Sequence, residues 1–186
     1  MSFPNSRSSR VNPNIQLTLT NSFKQSLPNL HKPRIKMPPS SADLAWTQAL
    51  TQSAVSVRIH TVLGLKLISQ TLLPNSTALH TFKSEHIHLT PSQTLHGGIA
   101  SLMIDAAGYG ALIPTLSEGQ TAVTIASSFQ ILDAVPGLGK VYEVEGRVVR
   151  RGKRTAFCEG EVRCDGKVIA KGSLTKVIKG GKESKL

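Results

Sequence analysis

The spacing of apolar residues changes several times along this chain, and each change predicts a new element. From position 42 to position 55, apolar residues recur every three to four positions, as on a helix with one buried stripe. The predicted stripe consists of Ala42, Ala45, Trp46, Ala49 and Leu50. Ser41 is the predicted N-cap of this helix, Ala42–Val55. Two strands are predicted to follow, Leu65–Leu72 and Thr77–Leu89, separated by the turn sequence Pro74-Asn75-Ser76.

The segment His96–Leu112 predicts a second kind of helix, which is apolar on every side and rich in small residues. A helix of this kind is normally buried. Its one charged side chain is Asp105, and a buried carboxylate is costly unless partners or chemistry compensate. No basic residue lies within four positions of Asp105 on this helix, so an ion-pair partner has to come from another element. Asp105 is therefore a candidate catalytic residue, with a structural ion pair as the alternative.

Four further strands are predicted after this helix, near Thr121–Leu132, Val141–Arg151, Thr155–Cys164 and Lys167–Ile178. The dipeptide Asp165-Gly166 predicts a two-residue hairpin between the last two. Two strands, a helix and four antiparallel strands predict an α+β domain in which one curved sheet wraps around the long helix. The predicted domain covers residues 41–179, preceded by a disordered extension or targeting segment, 1–40, and followed by a flexible tail, 180–186.

Gly97 and Gly98 begin the long helix, where backbone N–H groups lack helical partners and the positive end of the helix dipole lies. Such donors suit an anion or a developing oxyanion. Asp105 lies seven residues after Gly98, on the same side and about 10 Å farther along the axis. One copy cannot bring both groups to a single carbonyl, whereas an antiparallel second copy could. The segment therefore predicts a site completed by two-fold dimerisation.

The run Leu95-His96-Gly97-Gly98, with an Asp nine residues after the His, resembles the signature of hotdog-fold acyl-CoA thioesterases. The resemblance is to the phenylacetyl-CoA thioesterase-like type, within the 4-hydroxybenzoyl-CoA thioesterase superfamily. It extends over about Leu63–Ile178 and includes Thr124 and the run Arg151–Phe157. It implies a hotdog fold, an antiparallel sheet wrapped around a long central helix. It also implies a homodimer or homotetramer that takes acyl-CoA as its substrate.

The resemblance implies roles for individual residues as well. The Gly97 backbone N–H would donate to the thioester oxygen, Asp105 of the partner subunit would act as general base on water or as nucleophile, and Thr124 would help to hold the water. Family members often carry Asn-x-x-Gly just before the motif, whereas this chain has Thr90 and Gln93 there. That departure predicts an altered site or weaker activity.

Several other residues are candidates for binding the substrate. They are His96, Gly98, Thr90, Arg151, Lys153 and Arg154. For His96 a structural role is favoured, because a His directly before a helix can cap it and hold the preceding loop by hydrogen bonds. Together with Arg150, the three cations crowd one predicted hairpin and could clamp the phosphates of coenzyme A. A solvated turn whose charge aids solubility is an equal alternative.

Composition and missing motifs exclude several other functions. Six of the eleven net positive charges lie in residues 1–36, and aromatic residues make up only 4% of the chain, so nucleic-acid binding is not expected. No apolar run approaches the length of a membrane span. His86 and His88 share a face of a predicted strand but lack a third ligand, so no metal is expected. No cofactor is expected beyond the coenzyme A of the substrate.

Two segments predict a cellular address. Ser184-Lys185-Leu186 is the tripeptide that the peroxisomal import receptor reads, so a peroxisome is the expected location. Residues 1–36 are basic, rich in Ser and free of acids, which resembles a transit peptide and makes the mitochondrion the alternative. A disordered extension, or a start at Met37, explains the same composition.

The sequence thus predicts an enzyme that hydrolyses acyl-CoA to a free acid and coenzyme A, without a metal. The first alternative is a non-catalytic acyl-CoA-binding hotdog protein, which the residues Thr90 and Gln93 favour. The second is hydration of enoyl-CoA, for which a second acid–base partner is missing from the sequence. The preferred acyl chain, and the choice between dimer and tetramer, are not predicted.

Overall fold

The computed structural model describes residues 16–18, 40–71, 76–135 and 137–181 of the 186-residue chain. The helices are α1 (Ser41–Val55), α2 (Arg58–Val62) and α3 (Gly97–Leu112), with short 3₁₀ turns at His86–His88 and Ile113–Thr115. The strands are β1 (Gln16–Thr18), β2 (Lys66–Thr71), β3 (Thr77–Lys83), β4 (Gln120–Ile131), β5 (Val141–Arg151), β6 (Thr155–Cys164) and β7 (Lys167–Gly180).

The described strands form one sheet in the order β1-β2-β3-β5-β6-β7-β4. Neighbouring strands are antiparallel except for β1, which pairs parallel with β2. Helix α3 contacts every strand from β2 to β7, so the sheet curves around it. This is the α+β architecture that the sequence predicts.

Close contact between α3 and the sheet explains the small residues of this helix. A Cβ on Gly146 of β5 would lie 2.2 Å from the backbone carbonyl of Ala107, and a Cβ on Gly108 would lie 2.4 Å from Leu174 Cδ1. Each helical Gly costs about 1 kcal/mol relative to Ala, and the close approach of the backbones offsets that cost. Met103 and Ile104 of the same helix are fully buried in the core.

Helix α1 begins one residue earlier than predicted and buries a different face. Ser40 caps it, accepting a hydrogen bond from the Asp43 N–H at 3.1 Å while Asp43 accepts from Ser40 in return. The predicted stripe is wrong at its three alanines, Ala42, Ala45 and Ala49, which are exposed. The buried residues are Thr47 and Thr51. Alanine offers little apolar area, so polar contacts made by other residues of α1 decide its orientation.

One of those contacts is the Trp46 indole N–H, which donates to the Gln120 carbonyl at 2.7 Å. Another is the Thr51 hydroxyl, which donates to the Gln70 side chain at 3.3 Å. These two hydrogen bonds connect α1 to the start of β4 and to β2. The helix therefore covers a cavity beside α3 rather than a solid apolar core.

The second predicted strand, Thr77–Leu89, is too long, because β3 ends at Lys83 and His86–His88 forms a 3₁₀ turn. His88 is buried and its ring nitrogens contact Leu63 O at 3.0 Å and the Glu85 N–H at 2.7 Å. His86 is exposed. The two histidines therefore do not share a strand face.

The other predicted strands agree with β2 and with β4 to β7 within two residues at each end. The hairpin at Asp165-Gly166 is confirmed, since both residues have the positive φ that a tight two-residue turn requires, 50° and 79°. None of the helices in the described ranges is long and apolar enough to cross a membrane.

Most residues of the predicted N-terminal extension, 1–40, lie outside the described residues, although Gln16–Thr18 forms the short strand β1. Ser184-Lys185-Leu186 also lies outside them. The domain boundaries and the cellular address stay predictions.

Candidate active site

The first turn of α3 presents one unused backbone donor. His96 caps the helix, and its Nδ1 accepts a hydrogen bond from the Gly98 N–H at 3.0 Å. The His96 carbonyl accepts from the Ile99 and Ala100 N–H groups at 2.9 and 3.1 Å. The Gly97 N–H has no hydrogen-bond partner within the described ranges. Of the two glycines, Gly97 is therefore the one whose amide can bind an oxyanion, and His96 has the structural role that the sequence favours.

The loop before α3 keeps a tight turn without the family's Asn and Gly. Gln93 has φ 60°, in the left-handed region that favours Gly, and its carbonyl accepts from the Gly137 N–H at 2.9 Å. The Thr90 hydroxyl contacts the Thr94 hydroxyl at 2.8 Å and accepts from the Thr94 N–H at 3.3 Å. Thr90 thus closes its own loop.

Asp105 belongs to a cluster of three side chains. Its Oδ1 accepts hydrogen bonds from the Thr124 hydroxyl at 2.6 Å and from the Lys176 Nζ at 2.9 Å. The Lys176 Nζ also donates to Thr124 Oγ1 at 2.6 Å and to the Asp105 backbone carbonyl at 3.4 Å. Oδ2 has no partner among the side chains and backbone groups described. The Asp105 side chain is 45% exposed, whereas that of Lys176 is 2% exposed.

The strand register brings these groups together. Thr124 of β4 and Lys176 of β7 are cross-strand partners, next to an irregularity in the pairing between Thr124 and Ala126. One helical turn beyond Asp105, the Tyr109 ring covers the ammonium, with 5.5 Å between Nζ and the ring centroid. A buried ammonium is costly unless it is paired and hydrogen-bonded, and here oxygen acceptors and a ring face surround it.

Lys176 is the site residue that the sequence analysis missed. Leu174, Lys176 and Ile178 occupy alternating positions of β7, and all three are buried. Alternate residues of a strand face the same side, so a lone Lys between two inward apolar residues was the available signal. The ion-pair partner that Asp105 requires from another element is this Lys.

A cavity of about 320 Å³ begins at this cluster and extends beneath α1. Its lining includes Asp105, Thr124 and Lys176, here called the charged end. It also includes His60, Gln70 and His80, here called the far end. Residues from α1, α2, β2, β3, α3, β4 and β7 enclose the space, so it exists only in the folded chain.

His80 is the buried titratable group of the far end, and His60 is partly buried. His80 is 5% exposed, and its Nδ1 has no hydrogen-bond partner. Burial, with a smaller contribution from His60, lowers the pKa of His80 to about 4. Gln70 donates to the Gly110 carbonyl at 2.5 Å, and His60 Nδ1 contacts the Ala54 carbonyl at 3.0 Å.

Cys158 lies beneath the charged end and is 1% exposed. Burial raises the pKa of its thiol to about 11, and Asp105 adds to the rise while Lys176 opposes it. A thiol in this state is no nucleophile at neutral pH. Within the described ranges, no group of three His, Cys, Asp or Glu side chains is placed to hold a metal ion.

The basic hairpin is separate from the cavity. The Arg151 guanidinium contacts the Gly152 carbonyl and donates to the Gln120 side chain at 3.0 Å, so it supports the turn. Arg150, Lys153 and Arg154 are exposed. None of these four cations lines the cavity, and their contact with phosphates stays a prediction.

Gly97 and Asp105 are eight residues apart on one straight helix, about 12 Å along its axis. A single carbonyl cannot touch both groups of the same copy. Within one chain, the Gly97 amide and the Asp105 carboxylate therefore cannot act on the same carbonyl group.

Comparisons with known proteins agree with the fold. Residues 92–171 match the family model of the thioesterase superfamily. The PaaI protein from the phenylacetic acid degradation operon of E. coli is 21% identical, with a TM-score of 0.62 over 78% of this chain and 99% of that one. Zebrafish thioesterase superfamily member 2 is 22% identical, with a TM-score of 0.58 over 69% and 93% of the two chains.

A mutant of the phenylacetic acid degradation protein PaaI from Thermus thermophilus is 25% identical, with a TM-score of 0.57 over 65% of this chain and 98% of that one. No curated protein matches the sequence significantly. The family resemblance and the fold class predicted from the sequence are confirmed. The comparisons support thioester hydrolysis as the general activity.

Proposed function

We propose, on the premise that this chain is a hotdog-fold protein similar to the phenylacetyl-CoA thioesterases, that it hydrolyses acyl-CoA thioesters to a free acid and coenzyme A. The observation that carries the proposal is the Asp105 carboxylate at the mouth of an apolar cavity. One of its oxygens is held by two donors and the other is unoccupied. A carboxylate arranged in this way can accept a proton from water.

The reaction uses groups from two subunits. The Gly97 N–H of one subunit donates to the thioester oxygen and stabilises the negative charge that develops there. Asp105 of the partner subunit takes a proton from water, and the resulting hydroxide attacks the carbonyl carbon. The C–S bond then breaks, and the thiolate of coenzyme A leaves and takes up a proton. The Thr124 hydroxyl hydrogen is engaged by Asp105, so Thr124 orients the base.

The surface of β4 supports a homodimer, or a homotetramer built from dimers. This strand is the last one in the sheet order, and an unpaired edge is a ready template for another chain. Its exposed residues include Val123, Ile125 and Ile131, followed by Leu132, with exposed fractions of 39%, 61%, 51% and 52%. Thr124 lies on the same strand, so an interface here adjoins the charged end.

The exposed cations Arg150, Lys153 and Arg154 would contact the phosphates of coenzyme A.

Complementation between two inactive variants tests the shared site. Gly97→Pro removes the amide hydrogen at the first helical position, where Pro is well accepted, and His96 before it already has the extended ψ of 129° that a following Pro prefers. Asp105→Asn removes the base. Each variant alone is expected to release little thiol from acyl-CoA.

Unfolding and refolding the two variants together should restore about one quarter of the wild-type rate, because half of the dimers are mixed and each mixed dimer has one intact site. Gly97→Ala is the matched control, since its Cβ would meet Ile131 at 3.4 Å, an ordinary contact, and the amide hydrogen stays. No recovery on mixing, with wild-type protein active after the same treatment, would contradict the shared site. Binding of acyl-CoA by the wild type without any thiol release would contradict hydrolysis.

A further inference from the structure

We propose that Lys176 is the positioning residue of this site: its ammonium holds Asp105 Oδ1, so that Oδ2 alone faces the water that is attacked. The inference rests on the proposed function. It concerns a residue on another strand, 71 positions from the carboxylate that it contacts.

The hydrogens of Lys176 are all engaged. Asp105 Oδ1, Thr124 Oγ1 and the Asp105 backbone carbonyl lie 2.9, 2.6 and 3.4 Å from Nζ. An ammonium has three hydrogens and no acceptor, which matches three oxygen neighbours. With the side chain 2% exposed, Nζ has no free hydrogen and no open path to the substrate. Lys176 therefore acts through Asp105 and not on the thioester.

The donors also fix which carboxylate oxygen reacts. The Thr124 hydroxyl hydrogen and Lys176 both approach Oδ1, and Lys176 also donates to the Thr124 hydroxyl. The three groups form a closed ring of hydrogen bonds, in which Thr124 cannot rotate away without losing two contacts. The carboxylate plane is thereby held, and Oδ2 is the oxygen left for a proton. Such locking of a base by its supporting residues is what efficient proton transfer requires.

The charge of Lys176 matters as much as its geometry. Asp105 lies on a helix that is otherwise apolar, and a hydrogen bond from an ammonium to a carboxylate is stronger than one between neutral groups. The other titratable groups around this pair are Tyr109 from α3 and Cys158 from β6. His80 and His60 line the far end of the same cavity. Among the described residues, Lys176 is the cation that forms an ion pair with Asp105.

Lys176→Met tests the inference, because Met keeps the unbranched shape and removes the charge. kcat should fall about tenfold, because the carboxylate plane is no longer held, whereas KM should change little. In the Asp105→Asn background the same substitution should cause no further loss, because no base is left to orient. Lys179→Met is the matched control, since Lys179 lies on the same strand and is exposed.

A second readout does not depend on turnover. The χ1 rotamer of Thr124 is measured by NMR from three-bond couplings in wild type and in Lys176→Met. The inference expects one rotamer in the wild type, where Thr124 contacts both Asp105 and Lys176, and averaging in the variant. A single Thr124 rotamer in a folded variant would overturn it, as would an equal loss of kcat in the Asp105→Asn background.

If the wild type releases no thiol but Thr124 becomes averaged in the variant, the proposed hydrolysis fails and the positioning role of Lys176 stands. If the wild type is active and Thr124 keeps a single rotamer in the variant, the positioning role fails. The two proposals therefore fail separately.

Discussion

The two ends of the cavity each contain a deeply buried basic side chain, and the two side chains differ in their hydrogen-bond partners. Lys176 at the charged end and His80 at the far end are 2% and 5% exposed. Lys176 has three oxygen neighbours, including a carboxylate, whereas Nδ1 of His80 has none. The comparison shows that hydrogen-bonding partners, not depth, decide whether this fold keeps a buried group charged.

The two ends differ because different strands supply them. At the charged end, β4 and β7 pair directly and place Thr124 opposite Lys176 beneath Asp105. At the far end, His80 of β3 packs beside Gly110, whose carbonyl already accepts from Gln70. His80 Nδ1 has no hydrogen-bond partner there, so burial favours the neutral ring.

The largest expected effect is the loss of activity when the charged end loses its carboxylate. Asp105→Asn keeps the shape and an oxygen acceptor for Lys176 but removes the proton acceptor. We expect kcat/KM for acyl-CoA hydrolysis to fall about 10³-fold, in the range that general base catalysis contributes. Thiol release measures the rate, and thermal unfolding with sedimentation shows that the fold and the dimer persist. A rate within a few-fold of wild type would show that Asp105 is not the base.

The next effect is on stability, at the far end. The pKa of His80 is about 4 in the folded chain and about 6.5 in the unfolded chain, so the unfolded state binds the proton first as the pH falls. The free energy of unfolding should therefore lose about 3 kcal/mol from this residue between pH 6.5 and pH 4. The contribution is fully present above pH 6.5.

Replacing His80 with Phe isolates that contribution. The ring nitrogen Nδ1 has no partner to lose, and the cavity beside it accommodates the larger ring. Urea unfolding at several pH values should show a flatter acid slope in His80→Phe, whereas variants of the exposed His86 should keep the wild-type slope. The same acid slope in His80→Phe and wild type would place the titration elsewhere.

The smallest expected effect comes from removing the Thr124 hydroxyl, which belongs to the ring of hydrogen bonds with Asp105 and Lys176. Thr124→Val removes the hydroxyl but leaves Asp105 and Lys176 in contact at 2.9 Å. We expect about a tenfold loss of kcat/KM, the equivalent of one hydrogen bond to a charged group. Thr121→Val, on the same strand and bonded to the Tyr109 hydroxyl at 3.1 Å, is the control. A loss as large as that of Asp105→Asn would mean that Thr124 itself contacts the reacting atoms.

Local patterns predicted much of this molecule because the responsible forces act over a few residues. The small, apolar α3, the His96 cap and the Asp165-Gly166 turn follow from sequence spacing and turn preferences. The inner face of α1 did not follow, because its alanines bury little area and distant groups orient the helix. The turn at His86–His88 was missed, because a run with strand-like composition bends where His88 reaches the Leu63 carbonyl.

The sequence by itself determined that a carboxylate would sit on an apolar helix eight residues from an amide at the helix start. Helical geometry is periodic and local, so that separation holds in any fold that keeps α3. Only the tertiary structure decided that Lys176 would neutralise Asp105 and that His80 would remain without a partner. Both outcomes depend on strand register and on which groups surround each side chain, and these are set by contacts between residues far apart in the chain.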